Sequence, residues 1–147
     1  MCYGNSDRSP AMAAVLNMYL KNAGYKTYCE SAGVGENAAK GGSAAKFAID
    51  ACSQIGLNIS GHDKRRTTTL DLNSYDLVVC ADCLVAEMLI KQGCDIGKIY
   101  NAEIPNPWPV KFKAQYTETF QRILAAMYLV VDRYFVNMNE VDGPQGG

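Results

Sequence analysis

The sequence lacks an excess of charge of either sign, a long apolar run and a basic leader segment. Its 14 Lys and Arg residues nearly balance 15 Asp and Glu residues, and a formal net charge of -1 is not typical of a nucleic-acid binder. No apolar run approaches the roughly 18 residues that cross a bilayer, and no basic segment followed by an apolar core opens the chain. We therefore expect a cytoplasmic protein that binds neither nucleic acid nor membranes.

Internal repeats, low-complexity blocks and a second domain are also absent. The 147 residues, 48% of them hydrophobic, fit one domain with a core of its own. We predict that this domain covers residues 1–139 and that residues 140–147 form a flexible tail. Such a core needs no disulfide bonds, so the six cysteines are predicted to be reduced thiols: Cys2, Cys29, Cys52, Cys80, Cys83 and Cys94.

Helix and strand patterns alternate along the chain. Four stretches carry apolar residues at helical spacing and are predicted helices: 10–23, 43–55, 83–91 and 120–135. Three short runs of strand-forming residues are predicted strands: 25–29, 76–80 and 98–100. Ser9 is the predicted N-cap of the first helix, with Pro10 at the first helical position, and three prolines keep 104–109 out of regular structure. The alternation predicts a single doubly wound α/β three-layer sandwich with a mostly parallel sheet.

The segment from Cys2 to Arg8 has the composition of an anion-binding loop. A cysteine and an arginine six positions apart can bracket a loop whose backbone N–H groups converge on one tetrahedral oxyanion, and a helix that begins just after it adds its positive end. These groups would hold Cys2 as a thiolate nucleophile, while the planar fork of Arg8 would grip two oxygens. The predicted phosphate-binding loop, which would take phosphate or vanadate without a metal or cofactor, comprises Cys2, Tyr3, Gly4, Asn5, Ser6, Asp7, Arg8 and Ser9.

This segment resembles the N-terminal signature of the low-molecular-weight protein tyrosine phosphatases, Cys-x-Gly-Asn-x-Cys-Arg-Ser-Pro. Four further segments resemble parts of that family, so that the resemblance covers nearly the whole chain to about Phe135: 31–33, 59–65, 81–82 and 106–108. The resemblance implies a flavodoxin-like fold with a four-stranded sheet, and hydrolysis of phosphomonoesters through a phosphocysteine intermediate. The implied substrate is a phosphorylated protein or a small phosphoester, and the implied assembly is a monomer or a weak dimer.

The resemblance also implies roles for single residues of the loop. Cys2 takes the phosphoryl group, Arg8 stabilises its equatorial oxygens, and Ser9 donates a hydrogen bond to the thiolate. Asn5 holds the shape of the loop with help from His62, the single histidine of the chain. For His62 the alternatives are a surface or structural residue and a catalytic base.

Three further residues complete the implied site. Trp108 forms an aromatic wall for the substrate, Asp82 supports the loop, and Asn106 occupies the position of the family's general acid, an aspartate. An amide cannot protonate a phenolate leaving group, and the loss of a general acid typically lowers the rate by about 10²–10⁴-fold. We therefore predict impaired turnover of phosphotyrosine unless Asp7, Asp82 or Glu103 donates the proton.

Two other departures from the family pattern concern the start of the chain and the loop. The family has an apolar strand before the nucleophile, whereas only Met1 precedes Cys2 here. We expect either that the natural start lies upstream, or that the sheet lacks its central strand and is unstable or completed by a partner chain. Asp7 replaces the family's in-loop cysteine, so the protective disulfide with the nucleophile cannot form within the loop. Its carboxylate either points into solvent or donates a proton.

Two other functions fit part of the pattern. A thiol-coupled arsenate reductase of the same fold also begins with cysteine attack on a tetrahedral oxyanion. Cys80 and Cys83 are its candidate relay thiols, although Asp82 occupies the place of the first relay cysteine. A phosphate-binding pseudophosphatase would keep the loop and tolerate Asn106. Arsenate turnover with thioredoxin would indicate the reductase, and an intact loop without turnover of p-nitrophenyl phosphate would indicate the pseudophosphatase.

Overall fold

The computed structural model describes residues 1–136, which form α-helices around a short parallel sheet. The helices are α1 (Ser9–Asn22), α2 (Lys46–Gln54), α3 (Cys83–Lys91) and α4 (Lys113–Val131). The strands are β1 (Val78–Cys80) and β2 (Ile99–Asn101), and a π-helical turn over Asp132–Val136 continues α4. The predicted tail at 140–147 lies outside the described residues. Within residues 1–136, no helix has the length and apolar character needed to span a membrane.

The first helix follows directly from the 2–8 loop. Pro10 lies in the first turn of this helix. Backbone N–H groups in that turn have no partner within the helix, so proline, which lacks an N–H, removes no helical hydrogen bond. Gly24, just beyond the helix, adopts a left-handed φ of +85° that other residues rarely adopt. The prediction that Ser9 is the N-cap is wrong, because the residue before the helix is Arg8 and Ser9 is already helical. The Ser9 hydroxyl instead faces the loop, where it lies 3.1 Å from Cys2 Sγ.

The other predicted helices are present, with changed bounds in two of them. α3 has the predicted bounds of 83–91, because Asp82 caps it by accepting a hydrogen bond of 3.0 Å from the Val85 N–H. α2 is shorter than the predicted 43–55, and α4 begins at Lys113, before the predicted start at 120. The inward face of α4 carries its large buried side chains: Tyr116, Phe120, Ile123, Met127 and Val130.

The parallel sheet extends beyond its two strands as isolated bridges. Cys2 forms a parallel bridge with Gly33, and Gly33 forms another with Arg66. On the opposite side, the Ala81 N–H donates to the Met1 carbonyl at 2.9 Å. The first residues of the chain therefore lie between the Gly33 segment and the end of β1, in a central position.

The strand predictions are only partly correct. β1 is shorter than the predicted 76–80, β2 is shifted by one residue from the predicted 98–100, and the predicted strand at 25–29 is wrong. A strand needs a neighbouring chain with which to pair its backbone groups. At Cys29 those groups are instead hydrogen-bonded by the Asn17 side chain of α1, at 2.8 and 3.0 Å. Cys2, Gly33 and Arg66 pair only through single bridges, which are too short to count as strands. Among residues 1–136, only two strands of the implied four-stranded sheet are therefore formed.

Two apolar clusters form the core. One cluster is formed largely by α1, α2 and α4, with Val15, Ala48 and Ile123 fully buried. The other lies between β1 and α3 around Val85 and Leu89. The loops that follow β1 and β2 leave the carboxyl ends of parallel strands, which is where doubly wound folds bind their ligands.

Candidate active site

Asn5 fixes the shape of the 2–8 loop. It is fully buried and has a φ of +55°, a left-handed conformation that asparagine tolerates better than most residues. Its side-chain amide donates to the hydroxyls of Ser9 at 2.8 Å and Ser31 at 3.0 Å. Its side-chain oxygen accepts from the Arg65 N–H at 3.0 Å, and its backbone carbonyl lies 2.9 Å from His62 Nε2. These contacts tie the loop to three other segments and leave its conformation no freedom.

The Cys2 thiol lies inside this loop and is 2% exposed. Its Sγ is 3.1 Å from the Ser9 hydroxyl and accepts from the Asn5 N–H at 3.2 Å. The sulfur also lies close to the N-terminus of α1, whose partial positive charge favours an anion. Each of these contacts stabilises a thiolate, the nucleophilic form of cysteine.

The remaining buried thiols have no comparable surroundings. Burial raises the pKa of Cys29, Cys52 and Cys80 to about 11, and it raises the pKa of Cys94 above its ordinary value. All six cysteines are free in the structure. A reactive thiolate is therefore expected at Cys2 rather than at these four positions.

Arg8 is held from outside the loop. Its side chain is buried, and one guanidinium nitrogen donates to the Asp82 carboxylate at 2.7 Å and to the Ile104 carbonyl at 2.8 Å. Burial opposes ionisation of Asp82, but the hydrogen bonds from Arg8 and Val85 outweigh it and hold the pKa of this carboxyl below its ordinary value. The loop after β1 and the loop after β2 thus fix the guanidinium at the edge of the loop.

A cavity of about 630 Å³ opens above the 2–8 loop. Phe47 of α2 and Lys64 line it together with Trp108, which is 73% exposed. Sequence reasoning missed both Phe47 and Lys64, because Phe47 fits the apolar face of a helix and Lys64 reads as an ordinary surface charge. The loop contributes the floor of the cavity: Cys2, Tyr3, Gly4, Ser6, Asp7 and Arg8.

Asn106 lies in an irregular loop at the rim of the same cavity. The loop is anchored by Ile104, which is 1% exposed, and contains a cis peptide bond between Trp108 and Pro109. The Asn106 side-chain oxygen accepts from the Trp108 N–H at 3.1 Å. An amide thus faces the cavity where the resemblance places an acid, and it has no proton to transfer.

Asp7 lies in the floor of the cavity and is half-buried. Its carboxylate has no hydrogen bond or ion pair with any other residue in the described range 1–136, while its backbone carbonyl accepts from the Tyr116 hydroxyl of α4. Burial raises the pKa of Asp7, although Arg8 and Lys64 act in the opposite direction. The carboxyl therefore retains its proton to a higher pH than an exposed aspartate does.

The other predicted site residues lie outside the cavity. His62 contacts Asn5 from behind the loop, Cys80 is buried in β1, and Cys83 is exposed at the start of α3, where its Sγ accepts from the Asn101 side chain at 3.3 Å. Within residues 1–136, no hydrogen bond joins the Cys80 or Cys83 thiol to Cys2. Within the described part of the chain, no group of three or more His, Cys, Asp or Glu residues could hold a metal ion.

Comparison with protein families gives one match, which agrees with this geometry. The family model described as low molecular weight phosphotyrosine protein phosphatase matches residues 1–128. No curated protein matches the sequence.

Solved structures with the same fold are similar over most of the chain. A low molecular weight protein tyrosine phosphatase from T. tengcongensis superposes with a TM-score of 0.80 at 22% identity, over 90% of this chain and 95% of that chain. Wzb from Vibrio vulnificus, in complex with benzylphosphonate, has a TM-score of 0.79 at 23% identity, over 90% and 94%. Wzb from Escherichia coli K30, in complex with sulphate, has a TM-score of 0.77 at 23% identity, over 90% and 93%. These similarities confirm the predicted doubly wound, flavodoxin-like α/β fold.

Proposed function

The chain belongs to the low molecular weight phosphotyrosine protein phosphatase family, and on that premise we propose that it hydrolyses phosphomonoesters through a phosphocysteine on Cys2. The observation that carries the proposal is the Cys2 sulfur, which receives the Asn5 N–H at 3.2 Å and lies 3.1 Å from the Ser9 hydroxyl at the start of α1. The same arrangement that stabilises a thiolate also stabilises a bound phosphate dianion.

Two steps are required. In the first, the Cys2 thiolate attacks phosphorus, the bond to the ester oxygen breaks, and that oxygen takes a proton. In the second, water attacks phosphorus and loses a proton, the phosphorus–sulfur bond breaks, and inorganic phosphate leaves with the thiolate restored. Arg8, oriented by Asp82, stabilises the equatorial oxygens during both transfers.

The cavity favours an aromatic phosphoester. Phe47 and Trp108 present flat apolar surfaces to a substrate ring, and Lys64 adds a positive charge beside it. A phosphorylated protein or a small phosphoester is the proposed substrate, with phosphate or vanadate as competing ligands. The benzylphosphonate and sulphate complexes of the two Wzb proteins support this class of ligand for the fold.

Turnover of phosphotyrosine is proposed to be slow because Asn106 cannot donate a proton. Without a general acid, a phenolate leaves about 10²–10⁴-fold more slowly. An activated ester such as p-nitrophenyl phosphate departs as a stable anion and is affected less.

Trapping of the intermediate tests the proposal. The protein is mixed with p-nitrophenyl phosphate, quenched in acid and digested, and the peptides are weighed by mass spectrometry. We expect one phosphoryl group on the peptide that contains Cys2, and none in the Cys2→Ser variant. The Cys83→Ser variant is the matched control and should be labelled like the unmodified protein. A label on another residue would contradict the proposal.

A phosphate-binding pseudophosphatase is the second candidate, because Asn106 at the rim leaves the loop intact and removes only the acid. Tight vanadate binding without any label on Cys2 would favour this function over hydrolysis.

A further inference from the structure

We propose that Asp7 carries the proton that Asn106 cannot supply, as the acid of the first step and the base of the second; this inference rests on the proposed phosphatase function.

Elimination among the carboxyl groups is the first argument. Asp7 is the single Asp or Glu among the described residues that line the cavity. Asp82 is engaged by Arg8 and Val85, and its pKa is lowered, so it holds no proton near neutral pH. Glu103 has an unusual φ of +54° but is exposed and does not line the cavity.

The surroundings of Asp7 are the second argument. Arg8, the adjacent cation, uses its guanidinium on Asp82 and the Ile104 carbonyl instead. The other charged or titratable groups near Asp7 are Lys64 at the cavity wall, Cys2 in the floor and the buried Tyr116 of α4. Burial raises the pKa of the Asp7 carboxyl more than Arg8 and Lys64 lower it, so the neutral acid is stabilised.

The chemistry balances with Asp7 in this role. When the Cys2 thiolate attacks phosphorus, the ester oxygen leaves with the bonding electron pair and takes the Asp7 proton as the bond breaks. When water attacks the phosphocysteine, the Asp7 carboxylate takes one proton from that water, and the thiolate is released. Asp7 ends the cycle protonated, and no other reactant is needed.

If Asp7 is only a negative charge in the floor of the cavity and carries no proton, its removal is expected to raise the rate. An ionised carboxylate beside a phosphate dianion repels it, so removal of the charge would then strengthen binding and raise the rate. The Asp7→Asn substitution therefore separates the two roles by the sign of its effect.

Kinetics of variants provide the first test. We expect Asp7→Asn to lower kcat/KM for phosphotyrosine by at least about ten-fold, with a smaller loss for p-nitrophenyl phosphate, as removal of a general acid does. Adding Asn106→Asp to that variant should restore the phosphotyrosine rate, because a carboxyl is returned to the rim. Asp50→Asn on the exposed side of α2 removes the same charge and should change neither rate. An unchanged or higher phosphotyrosine rate in Asp7→Asn overturns the inference.

Sulfate binding provides a second test that needs no turnover. Sulfate keeps its charge between about pH 5 and 8, so a change of affinity over that range reports the protein's own groups. Protonated Asp7 can donate a hydrogen bond to the anion and ionised Asp7 repels it, so calorimetry should show an affinity that falls with pH. The fall should be smaller in Asp7→Asn, because that variant has no carboxyl at this position to ionise and repel the anion. Equal falls in the two proteins overturn the inference. Absence of a Cys2 label in the trapping experiment, together with the expected sulfate result, instead overturns the hydrolytic function and leaves Asp7 only as a proton-carrying group beside the bound anion.

Discussion

The Asn5 side chain contacts α1, the segment before Gly33 and the segment after His62 at the same time. A left-handed φ at a residue other than glycine costs of order 1 kcal/mol and persists where the surroundings over-determine it. Glycine would adopt the same φ without strain, but it has no side-chain amide with which to join the three segments. The residue type is therefore set by hydrogen bonding rather than by backbone freedom.

Restoring a carboxyl at position 106 should raise activity. We expect Asn106→Asp to increase kcat/KM for phosphotyrosine by about 10²-fold in the Asp7→Asn background, by less where Asp7 is present to donate the proton, and to have a smaller effect on p-nitrophenyl phosphate. The reason is that the Trp108 N–H already holds the side-chain oxygen, so the substitution changes few atoms. The measurement is the ratio of kcat/KM values for both substrates in both proteins. If neither rate rises, the rim is not the position from which the proton is delivered.

Cys2 should be the thiol that is alkylated most rapidly at about pH 6 to 7, because its sulfur is stabilised as a thiolate. A thiol with a pKa of about 11, as at Cys29, Cys52 and Cys80, has only about one thiolate in ten thousand at neutral pH. Peptide mapping after brief iodoacetate treatment measures the order of labelling, and phosphate should protect Cys2. Exposed Cys83 is the internal comparison, and faster labelling there would contradict the assignment.

The Asp82 carboxylate contacts both the start of α3 and the loop that begins at Cys2. Asp82 caps α3 through the Val85 N–H and orients Arg8 through its other oxygen. The start of α3 and the Arg8 side chain are thus coupled through a single residue. A change at this position is expected to affect both stability and binding.

Two substitutions separate those effects. Asp82→Asn keeps an N-cap but removes the charge, so vanadate affinity should fall by at least about ten-fold while α3 stays capped. Asp82→Ala removes both the charge and the N-cap, and should lower the free energy of unfolding by about a further 1 kcal/mol. Urea unfolding and vanadate titration of the two variants measure this. Equal stabilities would show that the cap contributes nothing.

The helices were predictable from sequence to a greater degree than the strands. A helix pairs its own backbone, so the pattern of 83–91 was sufficient to predict α3, although its Asp82 cap was not predicted. A strand depends on a neighbour elsewhere in the chain, and residues 25–29 have strand-forming side chains without such a neighbour. Asn17, twelve residues before Cys29, takes the backbone bonds instead, and no local pattern indicates that contact.

The candidate site combines a local sequence motif with residues that are distant in the chain. The spacing of Cys2 and Arg8, joined to the Gly-Asn pair between them and to the helix directly after them, is local and was sufficient to indicate anion binding. Phe47 and Lys64 reach the cavity, and Asp82 reaches Arg8, only through tertiary packing. Their positions depend on tertiary contacts, which composition and periodicity do not specify.

Asp7 and Asp82 should influence stability in opposite directions with pH. The pKa of Asp7 is raised above 3.8 in the folded state, so its contribution is present below that value and is lost as the pH rises through the folded pKa. The pKa of Asp82 is lowered, so its contribution is present above 3.8 and is lost as the pH falls through the folded pKa. We expect Asp7→Asn to raise Tm by a few degrees at about neutral pH and Asp82→Asn to lower it, by the usual relation of free energy to Tm. Both differences should shrink in acid, and thermal melts at several pH values measure them. Shifts of the same sign would contradict the assignment.

Backbone hydrogen bonds hold the segment around Cys2 from both sides. The Val34 N–H donates to the Cys2 carbonyl at 3.0 Å, and the Ala81 N–H donates to the Met1 carbonyl at 2.9 Å, from the far side of the same short segment. Each amide can exchange its hydrogen for deuterium only when its own contact opens. The exchange rates of the Val34 and Ala81 amides therefore report separately on how often each of these two hydrogen bonds opens. A ligand bound in the loop should slow both rates together.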